Sequence, residues 1–352
     1  MNTNSHISEL SIVAKALMAP GKGILAADES DATIQKRFES VNLESNPASR
    51  IAYREMLFTA PGAENYISGA ILFDETIRQS ASSGESFVKI LEQKGILPGI
   101  KVDMGTEPFG ASGEKLTRGL DGLEERVKGY VALGAKFAKW RAVFGIGGGL
   151  PTDECVKGNA SRLARYAKIC QMAGLVPIVE PEVLMDGSHT QQNCEAVTER
   201  VLTEVFAQLK QQEVDLTGIL LKPNMVVSGS ECPEQANSGE VAEATLRVFL
   251  KTVPPEVPGI VFLSGGQSPA EATANLNEMN KNGHLPWPLS FSYGRALQAP
   301  ALQAWAGKPE NVTSAQAAFL RRAELNSLAR AGTYLPEMEN SESGALNLTS
   351  QD

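Results

Sequence analysis

Eight short apolar segments recur along the chain, and each ends close to a charged or hydroxyl-bearing residue. Apolar runs of this length, without polar alternation, are typical of parallel strands that helices cover on both faces. Amphipathic helical patterns lie between them, at residues 120–133, 161–172, 196–210, 241–250 and 270–279, and another at 10–18 precedes the first strand. The predicted strands are residues 23–30, 68–74, 97–103, 135–141, 175–180, 218–225, 259–264 and 289–295.

This alternation predicts an α/β protein that folds as a single (β/α)8 TIM barrel with an extra N-terminal helix. A length of 352 residues suits one such unit. We expect the barrel to span residues 1–336 and a mobile, flexible tail to follow at 337–352, where Ser, Glu, Asn and Gly predominate.

Composition argues against several functional classes. A net charge of -9 is unfavourable for a nucleic-acid or anionic-membrane partner. The chain has no apolar run long enough to cross a bilayer and no secretory signal, so we expect a cytoplasmic protein. Four cysteines without CxxC spacing and three dispersed histidines predict neither a disulfide framework nor a metal site.

In a barrel of this kind the carboxyl ends of the strands meet at one mouth, where catalytic groups lie. A barrel that needed only stability would not place so many charges there, because each one costs desolvation. For single members other roles remain open: Asp74 and Asp103 also suit helix caps, and Lys222 suits a strand-end lysine that pairs or reaches solvent. The predicted strand ends carry Asp28, Asp74, Lys101, Asp103, Lys139, Arg141, Glu180, Lys222, Ser264 and Arg295.

Two lysines at this mouth indicate Schiff-base chemistry. Lys139 and Lys222 facing one cavity would repel each other, which lowers the pKa of the more buried amine and favours a neutral nucleophile. Glu180 is suited to move protons during carbinolamine dehydration, and Asp28 to exchange a proton with a substrate hydroxyl. Because an iminium on Lys222 would draw electrons from a neighbouring C–C bond, we expect neither a cofactor nor a metal.

The last two strand ends suggest a phosphate site. Residues 264–268 combine small side chains, backbone N–H groups and a helix start, and Arg295 adds a guanidinium. Two phosphate sites on either side of one lysine would suit a linear bisphosphate substrate. Taken singly, Gly265 and Gly266 also fit an ordinary turn. Lys36 and Arg37, a basic pair near the first strand, also fit a solvated helix face. The second candidate anion site comprises Ser30, Thr33, Lys36 and Arg37.

Seven ordered motifs carry a family resemblance. They are GKGILAADES at 21–30, GIKVD at 99–103, FAKWR at 137–141, VEPE at 179–182, LKPNM at 221–225, LSGGQS at 263–268 and FSYGRALQ at 291–298. Together they resemble class I fructose-bisphosphate aldolase, over about residues 21–331.

The resemblance implies reversible cleavage of fructose 1,6-bisphosphate to dihydroxyacetone phosphate and glyceraldehyde 3-phosphate, in glycolysis and gluconeogenesis or in the Calvin cycle. It implies that Lys222 forms the Schiff base, Glu180 is its acid/base, Asp28 handles the hydroxyl proton and Lys139 stabilises charge. It also implies a phosphorylated sugar substrate and a homotetramer. The substrate-binding residues that it implies are Ser30, Arg37, Lys101, Arg141, Glu182, Ser264, Gly265, Ser292, Gly294 and Arg295.

The chain departs from the family pattern at three places. Met104 stands where a lysine is frequent, and Asp31-Ala32-Thr33 replaces a Gly-Ser pair near the farther phosphate. The C-terminus lacks the family's tyrosine, and Tyr334 is the last one in the chain. Two alternatives therefore remain: another Schiff-base barrel aldolase acting on a related sugar phosphate, and an aldolase-like protein whose main role is to bind a partner protein.

Overall fold

A computed structural model of the protein describes residues 3–281 and 283–340. Within that span eight parallel strands close into a barrel, each beside its neighbour in chain order, and two further strands form a separate antiparallel hairpin. The barrel confirms the predicted fold class. The strands are β1 Gly23–Ala27, β2 Ile67–Leu72, β3 Leu97–Lys101, β4 Thr106–Phe109, β5 Glu114–Thr117, β6 Phe137–Phe144, β7 Val176–Val183, β8 Leu220–Leu221, β9 Ile260–Phe262 and β10 Leu289–Tyr293.

Helices surround the barrel, as burial of both faces of a parallel sheet requires. Every helical pattern predicted from the sequence falls largely within an observed helix. In the described part of the chain they are α1 Thr3–Leu17, α2 Asp31–Glu39, α3 Pro47–Phe58, α4 Asp74–Ile77, α5 Phe87–Gln93, α6 Leu123–Ala132, α7 Asp153–Met172, α8 Gln191–Gln211, α9 Ser238–Thr252, α10 Pro269–Lys281, α11 Arg295–Trp305 and α12 Val312–Arg330.

The extra helix α1 closes the amino-terminal end of the barrel. Its apolar residues Leu10 and Leu17 join one buried cluster with side chains of the barrel strands, among them Phe137. The packing is so close that a Cβ on Gly69 of β2 would lie 2.6 Å from Leu17. Since this end is filled by apolar side chains, the polar cavity can open only at the carboxyl ends of the strands.

Several elements differ from the sequence prediction. Strand β8 contains only Leu220 and Leu221, because Pro223 lacks an N–H and residues 216–218 form a 3-10 turn. The hairpin β4–β5 was not predicted, since each of its strands has only four residues. Likewise the sequence analysis gave no bounds for the helices α2–α5, α11 and α12.

The predicted tail is only partly described. Residues 336–339 form a 3-10 turn that Glu339 fixes by pairing with Arg322. Residues 341–352, the rest of that predicted tail, lie outside the described residues. No helix in the ranges that the structure describes is long and apolar enough to span a bilayer.

Candidate active site

Every catalytic and substrate-binding residue predicted from the sequence lines one cavity at the barrel mouth. The cavity has a volume of about 290 Å³, and Glu29, Thr33 and Leu263 also line it. The predicted residues that it brings together are Asp28, Ser30, Arg37, Lys101, Lys139, Arg141, Glu180, Glu182, Lys222, Ser264, Gly265, Ser292, Gly294 and Arg295.

Four charged side chains form a continuous chain of ion pairs at the floor of this cavity. Lys139 Nζ lies 2.7 Å from Asp28 Oδ2 and 3.2 Å from Glu180 Oε2. The other oxygen of that carboxylate, Glu180 Oε1, lies 3.3 Å from Lys222 Nζ. Each of the four residues is at least nine-tenths buried. Two ammonium groups and two carboxylates therefore alternate, and Glu180 is shared between the lysines.

The charges of this cluster are mutually stabilised. Burial alone would lower the pKa of Lys139, but the carboxylates of Asp28 and Glu180 outweigh it and raise that pKa. Burial would raise the pKa of Asp28, yet Lys139 and Lys222 lower it well below its ordinary value. Burial would likewise raise the pKa of Glu180, but Lys139, Lys222 and Arg141 outweigh it and lower that pKa. Both carboxylates are therefore anionic, and Lys139 is a cation.

Strand register explains why these side chains meet. In β6, Lys139 and Arg141 are two residues apart and so lie on the same face, and in β7 Glu180 and Glu182 do the same. The parallel pairing sets Arg141 opposite Glu180. Arg141 Nε donates to the Glu182 carboxylate, and although burial would lower the pKa of Arg141, Glu182 raises it. Lys222 follows β8 directly, and its backbone N–H donates to Val179 O at 2.8 Å.

The loop between β9 and α10 has the features of an anion-binding turn. Gly265 has a φ of +52°, in the left-handed region that favours glycine. Arg295 Nη2 donates to Gly265 O at 3.1 Å and to Gln267 O at 3.3 Å, which fixes the guanidinium against the loop. Nearby, the hydroxyl of Ser292 is buried and has no hydrogen-bond partner among the described residues. A substrate oxygen would supply the partner that it lacks.

Another polar group lies at the side of the mouth formed by β1 and β3. Ser30 Oγ and Thr33 Oγ1 are 3.1 Å apart, and Lys101 Nζ donates to Asp103 O at 2.8 Å and to its carboxylate. Asp103 also accepts from Gly105 N at 3.2 Å. It therefore holds Lys101 in place, and the helix-cap role considered for it is wrong.

Three candidates from the sequence lie outside this cavity, and Asp103, described above, is one of them. Asp74 stands in the first turn of α4, accepts a hydrogen bond from Tyr130 OH at 2.8 Å and pairs with Arg78 at 2.9 Å. The expectation that it converges on the mouth is wrong, because α4 begins at this residue and the adjacent pairs direct its carboxylate elsewhere. Lys36 lines a neighbouring cavity together with Arg37.

A buried charge network behind the mouth was missed by the sequence analysis. Glu29 pairs with Arg37 and Arg54, and Gln298 Nε2 donates to Glu29 Oε1 at 2.8 Å. Tyr53 OH donates in turn to Gln298 Oε1 at 3.1 Å. Burial would raise the pKa of Glu29, but the two guanidinium groups lower it. The one available sequence signal for this network was that Glu29 is an acid next to Asp28 in a buried segment. Nothing in the sequence indicated that Arg54, on α3, is its partner.

The departures from the family pattern occupy distinct positions. Tyr334 is 2% exposed, its hydroxyl donates to Glu339 Oε1 at 2.9 Å, and it does not line the cavity at the barrel mouth. Met104 is 59% exposed and borders an adjoining cavity with Tyr130. Asp31 is exposed at the start of α2.

Comparisons with known proteins agree with these features. The family model described as fructose-bisphosphate aldolase class-I matches residues 9–351. The chain is 53% identical to a probable fructose-bisphosphate aldolase class 1 of Xanthomonas axonopodis over 330 residues, covering 93% of this chain and 99% of that protein. It is 53% identical to the cytosolic fructose-bisphosphate aldolase 4 of Arabidopsis thaliana, over 98% of this chain and 88% of the relative.

A solved structure is similar in both fold and sequence. It is the ternary co-crystal structure of fructose-bisphosphate aldolase from Plasmodium falciparum with TRAP and a small-molecule inhibitor. The TM-score is 0.93 at 50% identity, and the match covers 94% of this chain and 96% of that one.

Proposed function

The chain belongs to the class-I fructose-bisphosphate aldolase family, and on that premise we propose that it works through a Schiff base on Lys222. Its activity is the reversible cleavage of fructose 1,6-bisphosphate to dihydroxyacetone phosphate and glyceraldehyde 3-phosphate, a step of glycolysis. One observation carries the assignment of residues: Lys222 Nζ lies 3.3 Å from a carboxylate, Glu180, that is shared with a second lysine.

Lys222 is a better nucleophile than Lys139 on electrostatic grounds. Lys139 is held as a cation by two carboxylates, because its raised pKa opposes loss of the proton. Lys222 has a single carboxylate, Glu180, within ion-pair distance in the part of the chain that the structure describes. Glu180 takes a proton from Lys222, and the neutral amine attacks the substrate ketone to give a carbinolamine. Glu180 then donates that proton to the departing hydroxyl, water leaves, and an iminium remains on Lys222.

Cleavage uses the opposite end of the ion-pair chain. Asp28 takes the proton from the hydroxyl beside the breaking C–C bond, while that hydroxyl carbon becomes the aldehyde. The bonding electrons move into the iminium, which becomes an enamine. Lys139, 2.7 Å from Asp28, stabilises negative charge as it develops on the oxygen. Protonation of the enamine and hydrolysis of the resulting iminium release dihydroxyacetone phosphate and restore Lys222.

The remaining predicted residues are proposed to hold the substrate. The phosphate nearer the ketone is bound by Arg295 and the loop of residues 264–268, with backbone N–H groups and a guanidinium as donors. Ser292 and Arg141 bind sugar oxygens, and Glu182 orients Arg141. The farther phosphate is bound by Ser30, Arg37 and Lys101, and cations on separate sides of one cavity support a bisphosphate.

We propose a cytoplasmic homotetramer in which residues 1–336 form the barrel unit of each chain. The relatives named cytosolic in Arabidopsis support the location. The assembly rests on the family resemblance alone. Multi-angle light scattering tests it directly: a mass near that of a single 37.6 kDa chain would contradict the tetramer.

Steady-state cleavage of fructose 1,6-bisphosphate in the presence of a chelator tests the proposed function. The wild-type rate should persist, and Lys222→Met should lower kcat by about a thousandfold or more because the covalent route is lost. Lys128→Met is a matched control, since Lys128 lies on the outer surface and pairs with Glu125. A Lys222→Met protein that kept the wild-type rate would contradict the assignment.

A monophosphate sugar as substrate distinguishes the alternative function, an aldolase acting on a related sugar phosphate, from cleavage of fructose 1,6-bisphosphate. Met104 and Asp31 give the farther phosphate end one cation fewer and one carboxylate more than the family pattern. Comparing kcat/KM for fructose 1,6-bisphosphate with that for fructose 1-phosphate measures how much this end contributes. A higher value for the monophosphate would favour the alternative substrate class.

A further inference from the structure

The loop that follows β7 is fixed to the segment that follows β8. Three backbone hydrogen bonds join them, from Gly229 N to His189 O, Ser230 N to Met185 O and Glu231 N to Gly187 O, at 2.7–2.9 Å. The two segments touch so closely that a Cβ on Gly229 would lie 2.3 Å from Gly187 O. Loop residues 185–189 therefore have a rigid backbone from which a side chain can act on a neighbour.

Met185 extends from this rigid loop to the turn after β9. Its Sδ accepts a hydrogen bond from Gly266 N at 3.0 Å. A Cβ on Gly266 would lie 2.4 Å from the same sulfur, so the thioether lies directly against the glycine pair. Met185 thus joins the ends of three consecutive barrel strands: it follows β7, its carbonyl binds the β8 segment and its sulfur binds the β9 turn.

We infer that Met185 is a positioning residue for the phosphate turn, an inference that rests on the function proposed above. The sulfur holds the turn from one side, and Arg295 holds it from the other through Gly265 O and Gln267 O. Between these two contacts the turn keeps the conformation in which Ser264 and Gly265 line the cavity. The substrate then meets an ordered anion site, so little binding energy is lost in ordering the turn.

A thioether suits this role better than a stronger acceptor. A carboxylate at position 185 would also accept from Gly266 N, but its charge would repel the phosphate beside it. Methionine sulfur is neutral and a weak acceptor, and it fills the space against two glycines. Met185 therefore orders the turn without competing electrostatically with the anion.

Met185→Leu tests the inference, because it approximately keeps the side-chain volume and removes the acceptor. Borohydride trapping is run at increasing concentrations of dihydroxyacetone phosphate and of unphosphorylated dihydroxyacetone. For the phosphorylated ketone we expect the half-saturating concentration to rise by about three- to tenfold, the range for loss of one hydrogen bond. For dihydroxyacetone we expect it to stay within about twofold, since no phosphate contacts the turn.

Met172→Leu is the matched control, because Met172 is 76% exposed at the end of α7. Thermal unfolding of both variants shows whether either has lost stability. An equal weakening for both ketones, or an unchanged value for dihydroxyacetone phosphate, would overturn the positioning role while leaving the lysine mechanism intact. A wild-type protein that forms no adduct on Lys222 with dihydroxyacetone phosphate would overturn the proposed function itself.

Discussion

The buried carboxylate of Glu29 offers a quantitative test of how the mouth is supported. Its side chain and that of Arg54 are each 3% exposed, and Arg37, its second partner, is 22% exposed. Glu29→Gln keeps the shape of the side chain but removes its charge. Arg54 would then be a buried cation without a compensating anion, whereas Arg37 can turn towards solvent.

Breaking a buried ion pair by removing one partner costs roughly 3–5 kcal/mol. The amide oxygen of glutamine still accepts one hydrogen bond, so we expect a loss of about 2–4 kcal/mol in the free energy of unfolding. Because the pKa of Glu29 is lowered on folding, this contribution is complete above the carboxylate's unfolded pKa. It is lost only as the pH falls through the lower folded value. The freed Arg37 should also raise KM for fructose 1,6-bisphosphate several-fold.

Urea unfolding at pH 7 and steady-state kinetics measure the two effects. Glu125→Gln is the control, since Glu125 is 78% exposed and pairs with Lys128 at the surface; it should cost less than about 1 kcal/mol. A double variant, Glu29→Gln with Arg54→Met, removes the uncompensated cation and should recover part of the stability. A Glu29→Gln protein as stable as the Glu125→Gln control would refute the reasoning.

Three further predictions concern charged residues that line the cavity. Because the pKa values of Asp28 and Glu180 are both lowered, kcat/KM of the wild-type protein should show no inflection near pH 4.5, the ordinary range of a carboxyl group; rates at pH 4–6 check this, and an inflection there would contradict it. Lys139→Met should lower kcat by at least about a hundredfold, since two buried carboxylates lose their shared cation; wild-type kcat would contradict this. Lys101→Met should raise KM for fructose 1,6-bisphosphate more than KM for fructose 1-phosphate, and an equal rise would contradict a contact with the farther phosphate.

The barrel and its mouth were predictable because their signals are local. Lys222 ends an apolar run, and Lys139 and Glu180 are charged residues within two others, so each position is specified by its own strand. The topology then brings the strand ends together whatever lies between them. Asp74 shows the limit of this rule, because it follows β2 yet belongs to α4 and pairs with Arg78.

Contacts between distant segments could not be predicted in the same way. Glu29 lies just after β1 and Arg54 lies on α3, and no sequence periodicity relates the two positions. Met185 meets Gly266 only because the loops after β7 and β9 approach each other above the barrel. Short elements were equally hidden: β8 has two residues, too few for any pattern.

The most direct test of the central claim is borohydride trapping with dihydroxyacetone phosphate in the presence of a chelator, followed by mass mapping of the labelled peptide. The mechanism predicts one reduced adduct, on Lys222, and none in Lys222→Met. An adduct on Lys139 instead, or none on any lysine of the folded protein, would contradict it.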